Sequence, residues 1–173
     1  MNVVAALVHE VERHRRLVER AIQELSDEEF LRRPGEQVNS VALVIKHLAG
    51  NLSSRWYDFL TTDGEKPTRD RDSEFVIAEI DTRANLMADW QLAWRIVDGA
   101  LAGLTDQDLS RTVTIRGEPH TVLQALARSV SHVAYHTGQI LYITRLLKPD
   151  APWLSIAPGK SREHGTGGYL RSP

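Results

Sequence analysis

The 173-residue chain contains no cysteine, and that absence removes disulfides, thiolate nucleophiles and Cys-type zinc or iron-sulfur sites together. Any metal held by its side chains must sit on nitrogen or oxygen. Neither sign of charge dominates, since 21 Lys and Arg face 23 Asp and Glu for a formal net charge of -2. No basic stripe is therefore expected to follow a phosphate backbone, and no nucleic-acid partner is expected. A run of about 18 uncharged apolar residues, the minimum for a bilayer span, is missing too. The amino terminus MNVVAALVHEVERHRR lacks the basic, apolar, small order of a signal peptide. The expectation is a cytoplasmic protein without membrane contact. What remains is 42% hydrophobic and 25% charged, the composition of an ordinary globular domain able to bury roughly two-thirds of its unfolded surface.

Apolar residues recur at Val4, Leu7, Val8, Val11, Val18, Ile22 and Leu25, close to the 3.6-residue period of a helix with one buried stripe. This predicts a first helix from Val3 to Leu25. Ser26 reads as the cap of one short turn, Pro34-Gly35 as a break and Asn39 or Ser40 as a new N-cap. A second helix is expected from about Ser40 to Leu60, and a long third one, capped by Ser73, to near Leu104. TVTIRGEPHT alternates like strands, which predicts a hairpin over 112–120 with Arg116-Gly117 at its turn. Thr121 to Leu147 is helical again. The expected fold is all-α, an antiparallel four-helix bundle with long connections and a short β-hairpin before the last helix. Residues 1–147 would form the bundle, and 148–173, rich in Pro and Gly, an irregular tail packed on the same domain.

The last of these helices carries His132 and His136, four residues and so about 40° and 6 Å apart, which lets both imidazoles reach one ion. The spacing alone is weak, because seven histidines scattered at random over a chain of this length give roughly 0.3 such pairs. The surroundings add to it. Leu126, Val130, Val133, Ile140 and Ile143 share the helix, and an imidazole on such a surface must find partners for its nitrogens. A third histidine, His47, lies in the equally apolar SVALVIKHLAGNL. Three histidines with an open fourth position suit a catalytic metal site, while satisfied core histidines remain the other reading of the spacing.

Asn51 and Gln139 lie near the ligand faces as candidates to orient an imidazole or a bound water, or to bridge helices by simple hydrogen bonds. His9 and His14 are about 140° apart on the first helix and read as ordinary residues of it. His120 falls at the hairpin exit, and His164 reaches a site only if the tail folds back. Glu12 and Glu74 are carboxylates that would serve as a base if aimed inward, but no general base is assigned among the 23 acids, and no catalytic residue is named. Arg55 and Arg128 read as surface ion pairs or subunit contacts, and Trp56, Trp90 and Trp94 as core or interface.

VIKHLAGNLSSRW and RSVSHVAYHTGQILYITRL together resemble the paired signatures of the DinB-like superfamily of damage-inducible, metal-binding four-helix bundles. The likeness runs on through EFVIAEIDTRANLMADWQLAW, VTIRGEPHTVLQAL and WLSIAPGKS, nearest a branch of uncharacterised bacterial proteins. It implies a metal triad of His47, His132 and His136 and a homodimer. It also implies a metal-dependent thiol S-transferase using a low-molecular-weight thiol such as bacillithiol, mycothiol or glutathione. A metal-dependent hydrolase, and a non-catalytic stress-response bundle with a structural metal, are the alternatives. Zinc, nickel and iron(II) all accept imidazole, so three histidines do not select among them.

Overall fold

The computed structural model describes residues 2–163, so His164 lies outside the described residues. Five α-helices and one two-stranded antiparallel hairpin make up the fold: α1 (Val3–Gln23), α2 (Asp27–Leu31), α3 (Val41–Trp56), α4 (Arg83–Ala102), β1 (Thr112–Ile115), β2 (Glu118–Thr121) and α5 (Val122–Leu147). The helix starts obey local chemistry. Asn2, Ser26, Ser40, Thr82 and Thr121 each accept a backbone N–H from the first turn of the helix that follows, and Ser26 forms a reciprocal box with Glu29. The anticipated stripe of α1 buries Val4, Val11, Val18 and Ile22.

α3 lies against α4 and α5, and α1 against α5. Between α1 and α4, Arg15 bonds Asp98 and Gln91, and the Trp90 indole donates to Glu19. Trp56, Trp90 and Trp94 are all enclosed in the core with Phe30, Leu48, Leu52, Val133 and Ile140. None of the described helices is long and apolar enough to cross a membrane.

Two expected helices are cut short. The helix anticipated from Ser73 to Leu104 is a single 3-10 turn, Ser73–Phe75, followed by irregular chain up to α4. Polar contacts to α3 outweigh helical propensity here: Lys46 Nζ donates to Val76 O and to Asp81 Oδ2 at 2.6 Å, and Asp81 Oδ2 accepts the Ala78 N–H at 2.7 Å. Thr82, not Ser73, is the N-cap. α3 ends at Trp56 rather than Leu60, where Tyr57 turns extended and Asp58 takes a φ of 46°.

The hairpin pairs Val113 with His120 and Ile115 with Glu118. Its turn puts Arg116 and Gly117 at φ 57° and 77°, the two positive values of a type I′ turn, which matches the twist of the strands. Asp63 accepts the N–H groups of Glu65, Arg116 and Gly117 at 2.7–2.8 Å. These bonds hold its carboxyl below the usual carboxylate range, that of Glu65 most of all, against a smaller opposing effect of burial. The turn is thereby fixed over the end of α3. Beyond α5, Arg145 bonds the carbonyls of Pro149, Ala151 and Pro152 and stacks over Trp153 at 4.3 Å, which lays the start of the tail along the helix.

Candidate metal centre

α3 and α5 bring three imidazoles to one point. His47 Nε2 lies 3.3 Å from His132 Nε2, which lies 3.1 Å from His136 Nε2, and ligand atoms of the three residues all fall within 4.8 Å of one another. The helical spacing read from the sequence places the α5 pair, and α3 delivers His47 because it packs on that face of α5. His47 is 4% exposed, and the contacts of the other two are part-buried.

The outer nitrogens are anchored. His47 Nδ1 lies 2.8 Å from Glu74 Oε2 and His136 Nδ1 lies 2.7 Å from Gln139 Oε1. Both acceptors lack a hydrogen, so each Nδ1 carries the proton and each Nε2 offers a bare lone pair. His132 Nε2, with at most one hydrogen in a neutral ring, faces both of them. At least one of its two contacts is then lone pair against lone pair. Protonation does not relieve this: burial above all, then the positive potential of the other histidines with Arg69 and Arg55, brings the His132 pKa down to about 4. Burial likewise lowers His136, against the Gln139 bond. A cation at the centre resolves the conflict, and two of the three separations, 3.1 and 3.3 Å, are close to the roughly 3.3 Å edge of a tetrahedron of imidazole nitrogens around zinc. The donor set therefore fits a divalent ion.

Behind His47 stands a buried relay through Glu74, which the sequence singled out as a carboxylate that could aim inward without assigning it a role. Arg69 grips Glu74 with Nε to Oε1 at 2.7 Å and Nη2 to Oε2 at 2.9 Å, and its Nη1 meets both oxygens of Glu65 at 3.2 Å. Burial alone would raise the Glu74 pKa, but the His47 and Arg69 bonds and the Arg69 charge together hold it below the normal range. Glu74 is thus an ionised acceptor that fixes the tautomer and aim of His47. The sequence did carry one signal for it. Gly50 sits inside α3, where glycine costs about 1 kcal/mol relative to alanine, and a methyl group there would collide with the Glu74 carboxylate. Replacing Gly50 by Ala is expected to lower stability and to weaken metal binding about tenfold despite the better helix former. Calorimetric unfolding and a zinc titration check it, and a variant as stable as or more stable than the parent with unchanged affinity would contradict this role.

The remaining candidates separate cleanly. Gln139 Oε1 lies 2.7 Å from His136 Nδ1, whereas Asn51 borders the adjacent cavity without a hydrogen bond to any triad ring among the described residues. His9 and His14 stay on α1. His120 bonds the Glu118 carbonyl at 3.0 Å. Glu12 is a half-exposed partner of Arg16. Beside the triad opens a cavity of about 520 Å³ bordered by His47 and His132, and among the described residues no Asp or Glu lines it. Arg55, expected in a surface ion pair, lies on its wall with a side chain only 12% exposed. Arg128 borders it from α5, with His120 Nε2 at 3.5 Å.

Among solved structures, the chain is similar to the crystal structure of a conserved protein from Enterococcus faecalis, with a TM-score of 0.66 at 17% identity over 87% of this chain and 99% of that one. At that identity the likeness speaks for the fold alone. No curated protein matches. Residues 1–160 match the family described as "Protein of unknown function (DUF1572)", and with nearly the whole chain matched, the protein belongs to the DUF1572 family.

Proposed function

We propose that His47, His132 and His136 hold one divalent cation and that the protein is a metal-dependent enzyme, best read as a thiol S-transferase of the DinB-like kind. The observation that carries the metal reading is the convergence of three Nε2 atoms, two of them with their outer nitrogens tied to acceptors. The cavity against His47 and His132 supports a catalytic site over a structural one, because a fourth approach stays accessible to a small molecule. What the cation supplies when bound is a +2 charge, undiminished by neutral ligands, that keeps a small thiol deprotonated at neutral pH. The chain's own part is to keep the His132 and His136 rings neutral through burial, to aim His47 through Glu74 and His136 through Gln139, and to shape the cavity.

Transfer from a thiol to an alkyl halide gives a thioether and hydrogen halide, and needs no protein carboxylate as base. Hydrolysis is the weaker reading, since Glu74 is committed to His47 and Arg69 and, among the described residues, no carboxylate lines the cavity. The four long helices are read as an antiparallel bundle, supported by the packing of α3 on α4 and α5 and of α1 on α5. A homodimer in the cytoplasm completes the proposal. The dimer is supported by Tyr142 and Leu146, one turn apart on α5 and 67% and 51% exposed, and sedimentation at about 20 kDa would remove it.

The deciding experiment offers the zinc-, nickel- or iron-loaded protein bacillithiol, mycothiol, glutathione and coenzyme A with an alkyl halide or epoxide, beside a panel of esters and amides. Thiol-dependent acceleration, lost in His136→Ala, is the expected result. Acceleration confined to esters or amides without any thiol would make the protein a hydrolase, and none in either panel would favour a structural metal.

A further inference from the structure

Apart from the two triad histidines, the charge-bearing side chains that border the cavity are, among the described residues, all arginines. Arg55, Arg69, Arg71, Arg116 and Arg128 all border it. Among the described residues the carboxylates ion-paired to these guanidiniums are Glu65 and Glu74: Arg69 bonds both, Arg116 meets Glu65 at 3.3 Å, and Arg55 reaches Glu65 at no better than 3.9 Å. Arg71 stacks on Phe75 instead. Arg128 Nη1 has His120 Nε2 at 3.5 Å and no carboxylate ion pair among the described residues. Arg55 is the telling residue, because its Nη1 is buried and has no hydrogen-bond partner. Burial, and then the charge of Arg128, depress its pKa more than Glu65 restores it.

A guanidinium nitrogen shut away from water without an acceptor costs a few kcal/mol, and clustering like charges around it adds to that cost. Such an arrangement serves structure poorly and serves an oxyanion well. Carboxylate and phosphate both present the paired oxygens that a guanidinium fork accepts, and a cavity of about 520 Å³ has room for a small molecule. We propose that this cavity binds the substrate or co-substrate by an anionic group, a carboxylate or a phosphate, held by Arg55 and Arg128, so that the remainder of the molecule extends to His47 and His132. The catalytic meaning of this site rests on the proposed metal reading, but anion binding does not, and the two are measured apart.

The test uses the full chain stripped of metal by a chelator, titrated calorimetrically with inorganic phosphate, with succinate and with neutral succinamide, while zinc stoichiometry is determined on the same preparations. Phosphate or succinate should bind, succinamide should not, and the affinity should fall as salt rises. The better of the two anions tells whether the natural ligand carries phosphate or carboxylate. Arg55→Gln and Arg128→Gln should each weaken binding at least tenfold, and the exposed Arg128 guards against a folding defect at the buried Arg55. Arg95→Gln, on the exposed side of α4, should change nothing, and all three variants should keep one zinc per chain. Absence of binding by both anions, or undiminished binding in the Arg55→Gln/Arg128→Gln double variant, overturns the inference even where zinc binds. Anion binding without zinc leaves it standing and removes the metal centre instead.

Discussion

Replacing His132 by alanine is expected to abolish stoichiometric metal binding, lowering affinity for zinc or nickel by at least about 100-fold, while leaving the metal-free protein as stable as its parent. The two halves of that expectation come from one feature. His132 Nε2 is the vertex that approaches both other ring nitrogens, at 3.3 and 3.1 Å. Its loss removes a donor from the cation and also removes the lone-pair conflict that the metal-free site must tolerate. Were the three rings merely satisfied core histidines, the same change would open a cavity and strand the partners, with the usual cost of about 2 kcal/mol or more. Competitive chelator titration and thermal unfolding with and without zinc separate the cases. His47→Ala and His136→Ala should lose the metal as well, and His9→Ala and His120→Ala should keep it. One metal per chain in all three triad variants would mean that the ligands lie elsewhere.

The α5 pair was legible because a helix turns four residues into one face, and His47 because its apolar surroundings match those of the pair. Of the elements read from local periodicity or capping, α1, the short α2, the hairpin with its Arg116-Gly117 turn, and α5 sit within a residue or two of expectation, while α3 ends four residues short of Leu60. The stretch 73–82 departs further. Its apolar and acidic residues suit a helix, and contacts such as those from Lys46 on a distant segment hold it irregular. That irregularity is what carries Glu74 back to His47. A local pattern has no access to an interaction 27 residues away in the chain, although Gly50, unexplained in a helix interior, marked the place where something had to come close. The arginines escaped for a related reason. Arg55 and Arg128 lie on separate helices, and each looks like a solvated surface charge until α3 and α5 pack together around the cavity.

The relay predicts the second large effect, this time on folding. Glu74→Ala removes the carboxylate that Arg69 and His47 share in a buried setting, with Arg69 and Glu74 side chains 5% and 7% exposed. Breaking such a pair by deleting one partner costs about 3 to 5 kcal/mol, because the other charge is left without its counterpart. The low end, about 3 kcal/mol, is expected here, since Arg69 keeps Glu65 at 3.2 Å. Glu74→Gln divides the effect into its parts. The amide oxygen still accepts from His47 Nδ1, so the tautomer persists and the metal affinity should fall about tenfold rather than collapse. The charge on which Arg69 closes is gone, so much of the stability loss should remain. Denaturant unfolding and zinc titration of the two variants read the two quantities separately. If Glu74→Gln is as stable as the parent, the ion pair with Arg69 contributes nothing. If its zinc affinity falls as far as that of Glu74→Ala, then the charge on the acceptor, rather than the hydrogen bond that aims the ring, is what makes His47 a ligand.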